Sequence, residues 1–210
     1  MKHLFLIPSV VLSLLAMACT PNAGRDRPVS TECAIYATYL THFGAILRNA
    51  DVSLPPFLLL AERGGDIIEL PAQTEWTLVG ASPDLAPDGD RLEDFTPIPA
   101  TGLIDCAFPR ASGWNAVAEH PQTRAWLFVG NGPGRLNGAT NSHFEITLSP
   151  ARLSDSGSQA ILVMRWQEVE TGPRNNFHGP GSGDAYARLT RDPDGTWRVT
   201  ATTGWNSQDP

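Results

Sequence analysis

The sequence lacks the short motifs that mark the commoner metal and catalytic sites. Its histidines and cysteines form no His-x-x-x-His, His-Glu-x-x-His or Cys-x-x-Cys spacing, which argues against a zinc site. Ser182 lies in Pro180-Gly181-Ser182-Gly183, which differs from the Gly-x-Ser-x-Gly turn of a serine hydrolase. The sequence therefore predicts no catalytic residue, no metal ligand and no cofactor.

Positive charge is scarce. The 210 residues carry 15 Lys and Arg against 22 Asp and Glu, for a net charge of −7. An acidic chain is repelled by nucleic acid and by anionic lipid. We therefore expect no nucleic-acid partner and no membrane contact through a basic face.

Long hydrophobic runs are also missing. The apolar stretch 4–15 is too short to span a bilayer with its present flanks. It follows Lys2 and precedes Ala16-Met17-Ala18, an order typical of a secretory signal peptide. We predict a signal peptide over residues 1–18.

The residue after this stretch is Cys19, and Leu15 to Cys19 resembles a bacterial lipobox. A lipobox implies that Cys19 is lipidated and becomes the new N-terminus, with fatty acyl chains such as palmitate as the membrane anchor. Thr20 in place of Asp implies the outer membrane, facing the periplasm or the surface. The alternative is ordinary secretion with cleavage after Ala18. On the lipobox interpretation, residues 19–30 are a lipidated N-terminus and flexible tether.

Cysteine is rare, and two cysteines remain beside Cys19. In an oxidising envelope, Cys33 and Cys106 are expected to form one disulfide. The alternative is a pair of buried free thiols.

Residues 31–210 are predicted to form a single α+β domain. The segment Thr31–Asn49 predicts a helix with Tyr36, Tyr39, Leu40, Phe43, Ile46 and Leu47 on one face, capped by Ser30 or Thr31. Apolar runs at 57–62 and 66–70, separated by Arg63-Gly64-Gly65, predict a hairpin. Further strands are expected at 76–79 and 125–129, and a helical turn at 114–120.

The last third of the chain predicts an antiparallel meander with strands at 143–148, 160–169, 184–191 and 196–205. Ser154-Asp155-Ser156-Gly157 and Asp192-Pro193-Asp194-Gly195 have the composition of tight turns. The alternation of apolar and polar residues favours a sheet covered on one face by the N-terminal helix.

Tryptophan is unusually frequent, with six residues. Exposed indoles can stack on sugars, so a glycan ligand is one hypothesis. Trp126, Trp166 and Trp197 lie inside apolar strands, which favours a role in the core instead.

The C-terminal half resembles a group of uncharacterised bacterial exported proteins and lipoproteins. Those proteins share a strand, a Gly-rich hairpin loop, a Tyr-x-Leu-type strand and a final Gly-x-Trp-x-Val strand. The matching segments here are Gly113-Trp114, Pro121, Ala160-Ile161-Leu162-Val163, Gly181, Gly183, Tyr186-Ala187-Arg188-Leu189 and Gly195-Thr196-Trp197-Arg198-Val199. The resemblance implies the meander and an envelope location, but no activity. The final motif also occurs in unrelated cystatin-like sheets.

The connection 170–183 is much longer than a hairpin needs. Its centre holds Arg174, Asn175, Asn176 and His178, the candidate binding loop. We expect a non-enzymatic envelope lipoprotein that binds an unknown protein, small molecule or glycan. The alternatives are a hydrolase or metal-dependent enzyme that uses this loop, or an inhibitor or immunity-type protein.

Replacing Cys19 with Ser is expected to abolish incorporation of labelled palmitate and to release the protein from the membrane fraction, because the acyl chains need this thiol. Metabolic labelling followed by fractionation measures both effects. Equal labelling of the two forms contradicts lipidation at Cys19.

Overall fold

The computed structural model describes residues 30–49, 55–67, 70, 76–79, 92–98, 103, 106, 113–118, 124–128, 142–170, 181–203 and 206–208. These residues form one helix, α1 (Thr31–Asn49), and a large mixed sheet, as expected for an α+β protein. The strands are β1 (Phe57–Arg63), β2 (Trp76–Leu78), β3 (Phe95–Pro97), β4 (Asn115–Ala118), β5 (Arg124–Phe128), β6 (Ser142–Leu148), β7 (Arg152–Ser154), β8 (Gln159–Glu170), β9 (Ser182–Arg191), β10 (Trp197–Thr203) and β11 (Asn206–Gln208).

Helix α1 has the bounds that the sequence predicts. The Ser30 hydroxyl accepts a hydrogen bond from the Cys33 amide at 3.1 Å, so Ser30 is the N-cap. The predicted apolar face is buried except at Ile46, which is 47% exposed. Ile46 lies in the last turns, at the edge of the apolar stripe, and this part of the prediction is wrong. No helix in the described part of the chain is long and apolar enough to cross a membrane.

The sheet follows the order β2-β10-β9-β8-β6-β1-β5-β4, with β3, β7 and β11 attached at its side. β1 lies between β5 and β6, antiparallel to the first and parallel to the second. The predicted fully antiparallel sheet is therefore wrong at this one pairing. Residue alternation fixes which side chains share a face, but it carries no information about strand direction.

The C-terminal meander is confirmed, because β6, β8, β9 and β10 pair antiparallel in that order. Both predicted turns are present. Gly157 and Gly195 adopt φ values of 66° and 88°, a region that favours glycine. The Gly195 amide donates to the Asp192 carbonyl at 2.8 Å.

The predictions for residues 66–70 and 114–120 are wrong. Asp66, Ile67 and Leu70 are not in a strand, because the Gly64 amide donates to Leu148 O at 2.8 Å and β1 takes its partners from β5 and β6. The predicted helical turn at 114–120 contains strand β4, which pairs with β5. Long-range contacts override the local pattern at 66–70, whereas at 115–118 the chain pairs with the next strand, β5.

Strand β8 is buried on both faces along its first half. Ala160, Leu162 and Met164 pack into the main core with α1. Ile161 and Val163 point the other way, into a smaller core with Ile67 and Phe95. At residues 160–164 the sheet is therefore covered on both faces, by the main core on one side and by the smaller core on the other.

Strand β10 departs from simple alternation at one residue. Trp197 and Val199 are buried and Arg198 is exposed, as predicted, but Thr200 is also buried. The register with β9 shifts between Val199 and Ala201, and such an irregularity changes the face to which the following residues point.

A disulfide joins Cys33 of α1 to Cys106, as predicted. Both cysteines are buried within the main core. The 73-residue separation in sequence means that the bond removes much of the unfolded chain's freedom, worth about 4 kcal/mol in the chain-entropy treatment.

Replacing Cys33 and Cys106 with Ala together is expected to lower the free energy of unfolding by about 2–5 kcal/mol. Urea denaturation measures the change. The control is Ser156→Ala with Ser158→Ala, two exposed positions, since this double change leaves the bridge intact. An unchanged unfolding midpoint for the double variant contradicts a stabilising bridge.

Candidate functional site

The cysteine predicted to carry a lipid and the loop residues predicted to bind a ligand all lie outside the described residues. Cys19 falls in 1–29, and Arg174, Asn175, Asn176 and His178 fall in 171–180. The ends of the predicted binding loop are described. They lie side by side on β8 and β9, where the Glu168 amide donates to Gly181 O at 2.8 Å.

A groove lies beside these two ends, on the sheet face opposite α1. Arg165 and Gln167 point into it, while the neighbouring Met164 and Trp166 belong to the main core under the helix. The groove has a volume of about 320 Å³. It is lined by Leu60, Glu145, Thr147, Arg165, Trp166, Gln167, Ser182, Gly183 and Asp184.

Strand register arranges the polar side chains in two rows across three strands. One row is Glu145, Gln167 and Ser182, from β6, β8 and β9 in turn. The second row is Thr147, Arg165 and Asp184 on the same strands. Residues two apart on a strand share a face, so all six project from the same side of the sheet.

Arg165 is held by the protein itself. Its Nη1 donates to the carbonyl of Gly65, its Nη2 donates to Asp66 O at 3.3 Å, and its Nε lies 3.5 Å from Asp184 Oδ1. The guanidinium therefore fixes the segment 64–67 against β8.

A second arginine fastens the same segment. Arg152 on β7 donates through Nε to Asp66 Oδ1 at 3.1 Å and through Nη2 to Asp66 Oδ2 at 2.8 Å. It also donates to Ile67 O at 3.1 Å. The hydrogen bond from Arg152 is the main reason why the pKa of Asp66 lies below its ordinary value.

Glu145 has a histidine beside it. His143 Nε2 lies 3.4 Å from Glu145 Oε1, and the two residues share a face of β6. This contact engages one carboxylate oxygen at the groove's edge. Among the described residues, no three His, Cys, Asp or Glu side chains come together to hold a metal ion.

Four of the six tryptophans fill the core. Trp114, Trp126, Trp166 and Trp197 are each less than one tenth exposed, as expected for the role in packing. The Trp114 indole donates to Leu40 O at 3.2 Å. The side chains of Trp76 and Trp205 lie outside the described ones, so a sugar platform built on them stays a prediction.

One helix histidine is half-buried. Within the described part of the chain, Nε2 of His42 is buried and has no hydrogen-bond partner. Burial lowers the pKa of His42, because a charged ring loses hydration there. Burial likewise raises the pKa of Tyr39 well above its usual range; its hydroxyl lies 3.6 Å from Met164 Sδ.

Sequence reasoning missed the groove residues. The outward positions of β6, β8 and β9 alternate with core positions, a pattern that is typical of an ordinary solvent face. A signal was present for four of them, because the polar residues at 165, 167, 182 and 184 lie next to the long loop or at its end. Their alignment into two rows depends on strand register, which the sequence alone does not supply.

No family model, curated protein or solved structure matches this chain.

Replacing Asp66 with Asn is expected to lower the free energy of unfolding by about 0.5–1 kcal/mol at neutral pH, since the ion pair with Arg152 is partly exposed. A lowered pKa means that this stabilisation is present above the ordinary value of 3.8. It is lost as the pH falls through the still lower pKa of the folded state.

Denaturant unfolding of the wild type and the variant over a range of pH measures this difference. Asp155→Asn, on the exposed turn between β7 and β8, is the control. A stability difference that persists unchanged into strong acid contradicts a charge-dependent role for Asp66.

Proposed function

We propose that this protein is a bacterial envelope lipoprotein, anchored through Cys19, whose α+β domain binds a ligand without transforming it. The observation that carries the binding proposal is the polar groove, set on four neighbouring strands beside the ends of the 170–183 loop.

The envelope location rests on the N-terminal pattern and on the disulfide. The signal peptide and the Leu15–Cys19 segment support export and lipidation. A disulfide buried between α1 and Cys106 suits an oxidising compartment. The tether over 19–30 gives the domain reach from the membrane, and Thr20 favours the outer one.

The binding proposal rests on rigidity and chemistry. Ligand sites are concave and hold a few well-placed polar groups, and their volumes begin at roughly 300 Å³. This groove presents carboxylates, an amide and hydroxyls from β6, β8 and β9, with Leu60 of β1 as an apolar wall. Side chains on paired strands need little reorganisation to bind, which favours affinity.

The test is a ligand screen on the purified full-length protein with a variant that fills the groove. Ser182 is exposed at its edge, so Ser182→Tyr is expected to block binding without disturbing the core. Ser156→Tyr, on an exposed turn away from the groove, is the matched control.

Thermal-shift and saturation-transfer measurements against metabolite and saccharide libraries are expected to find ligands for the wild type and the Ser156 variant. A ligand at one hundred times its Kd stabilises the fold by about 2.7 kcal/mol. The proposal fails if Ser182→Tyr leaves every detected ligand equally well bound, or if no ligand is detected.

A further inference from the structure

The charges of the groove indicate the class of its ligand, an inference that rests on the proposed binding function. The groove contains one cation, Arg165, and two anions, Glu145 and Asp184. What each group still offers to a ligand depends on the contacts that it already makes within the protein.

Arg165 offers little to an anionic ligand. All three guanidinium nitrogens face protein oxygens, namely the carbonyls of Gly65 and Asp66 and the carboxylate of Asp184. A bidentate grip on a carboxylate or phosphate needs two parallel N–H donors. The three contacts engage three of the five N–H donors of the guanidinium, so a bidentate grip on an anion competes with them.

The two carboxylates keep acceptor capacity. Within the described residues, Glu145 is contacted through Oε1 by His143 and Asp184 through Oδ1 by Arg165. A carboxylate accepts about four hydrogen bonds, so each retains acceptors for a donor from solution. Each side chain is 36% exposed, which leaves it accessible.

Their spacing is wide for one shared metal ion. Glu145 and Asp184 occupy opposite corners of the two rows, with β8 between them. Strand spacing and residue rise place their Cα atoms roughly 12 Å apart, and among the described residues no third metal-ligating side chain joins them. The corners therefore suit two separate cationic groups.

The groups between the corners are polar. Gln167 and Ser182 complete one row, and Thr147 and the already engaged Arg165 complete the other. An amide or hydroxyl oxygen accepts a hydrogen bond from an amine. Leu60 of β1 closes the groove on the far side of Glu145.

We propose that the groove binds an extended organic cation with amino groups at both ends, of the diamine or polyamine class. One terminal ammonium pairs with Glu145 and the other with Asp184. The alkyl chain crosses β8 over Gln167.

Isothermal titration of the full-length protein in non-ionic detergent tests this proposal, with spermidine as the probe. Octylamine, suberate and maltose represent a single cation, an anion and a neutral sugar. Spermidine is expected to bind most tightly, and its affinity should fall with added salt because exposed charge pairs are screened.

Glu145→Gln and Asp184→Asn are each expected to weaken spermidine binding about three- to fivefold, the upper part of the range for one exposed ion pair. Asp155→Asn makes the same charge change away from the groove and should leave affinity unchanged. Near-ultraviolet circular dichroism checks that Asp184→Asn, which also removes a contact of Arg165, retains the native packing.

The ligand class is wrong if spermidine does not bind, or binds both carboxylate variants as tightly as the wild type. It is also wrong if octylamine, suberate or maltose binds the groove more tightly. In these cases the proposed function stands as long as Ser182→Tyr blocks some ligand from the screen. The binding function itself is wrong if spermidine does not bind the groove and Ser182→Tyr also blocks no ligand from the screen.

Discussion

The pairing of β8 with β6 and β9 is the constraint on which the rest of the structure depends. This twelve-residue strand is long enough to pass through two environments. Its first half is buried on both faces, between α1 and the small core of Ile67 and Phe95. Its second half keeps the main core on one face and exposes Arg165 and Gln167 on the other. The groove exists because the covering of the second face ends partway along the strand.

Two arginines determine where that covering ends. Arg152 and Arg165 reach from β7 and β8 to the segment 64–67 and satisfy its carbonyl oxygens. A segment outside the strand ladder needs such partners, because unpaired carbonyl groups near the core are unfavourable. The same contacts engage the guanidinium of Arg165 with protein oxygens, so they affect the balance of charge within the groove.

Sequence patterns predicted the helix and the meander well because both rest on local signals. The Ser30 cap and the apolar spacing from Tyr36 to Leu47 define α1, and glycines in turns define the strand ends. The predictions failed at 66–70 and 114–120 for different reasons. The Gly64 amide bonds to Leu148, a partner distant in sequence. β4 instead pairs with the next strand, β5, because a short segment such as 115–118 can form either a helical turn or a strand and its pairing decides which.

The sequence by itself determined the helix and the alternation of each late strand, and it predicts an export signal and lipidation of Cys19. It also pointed to the loop 170–183, whose ends border the groove. Only the tertiary structure decided that Glu145, Arg165 and Asp184 lie together, since strand register sets which residues are neighbours. It also decided that the guanidinium of Arg165 already contacts protein oxygens. The reason is physical: a side chain's identity is encoded locally, but what it can still bind depends on the partners that folding brings to it.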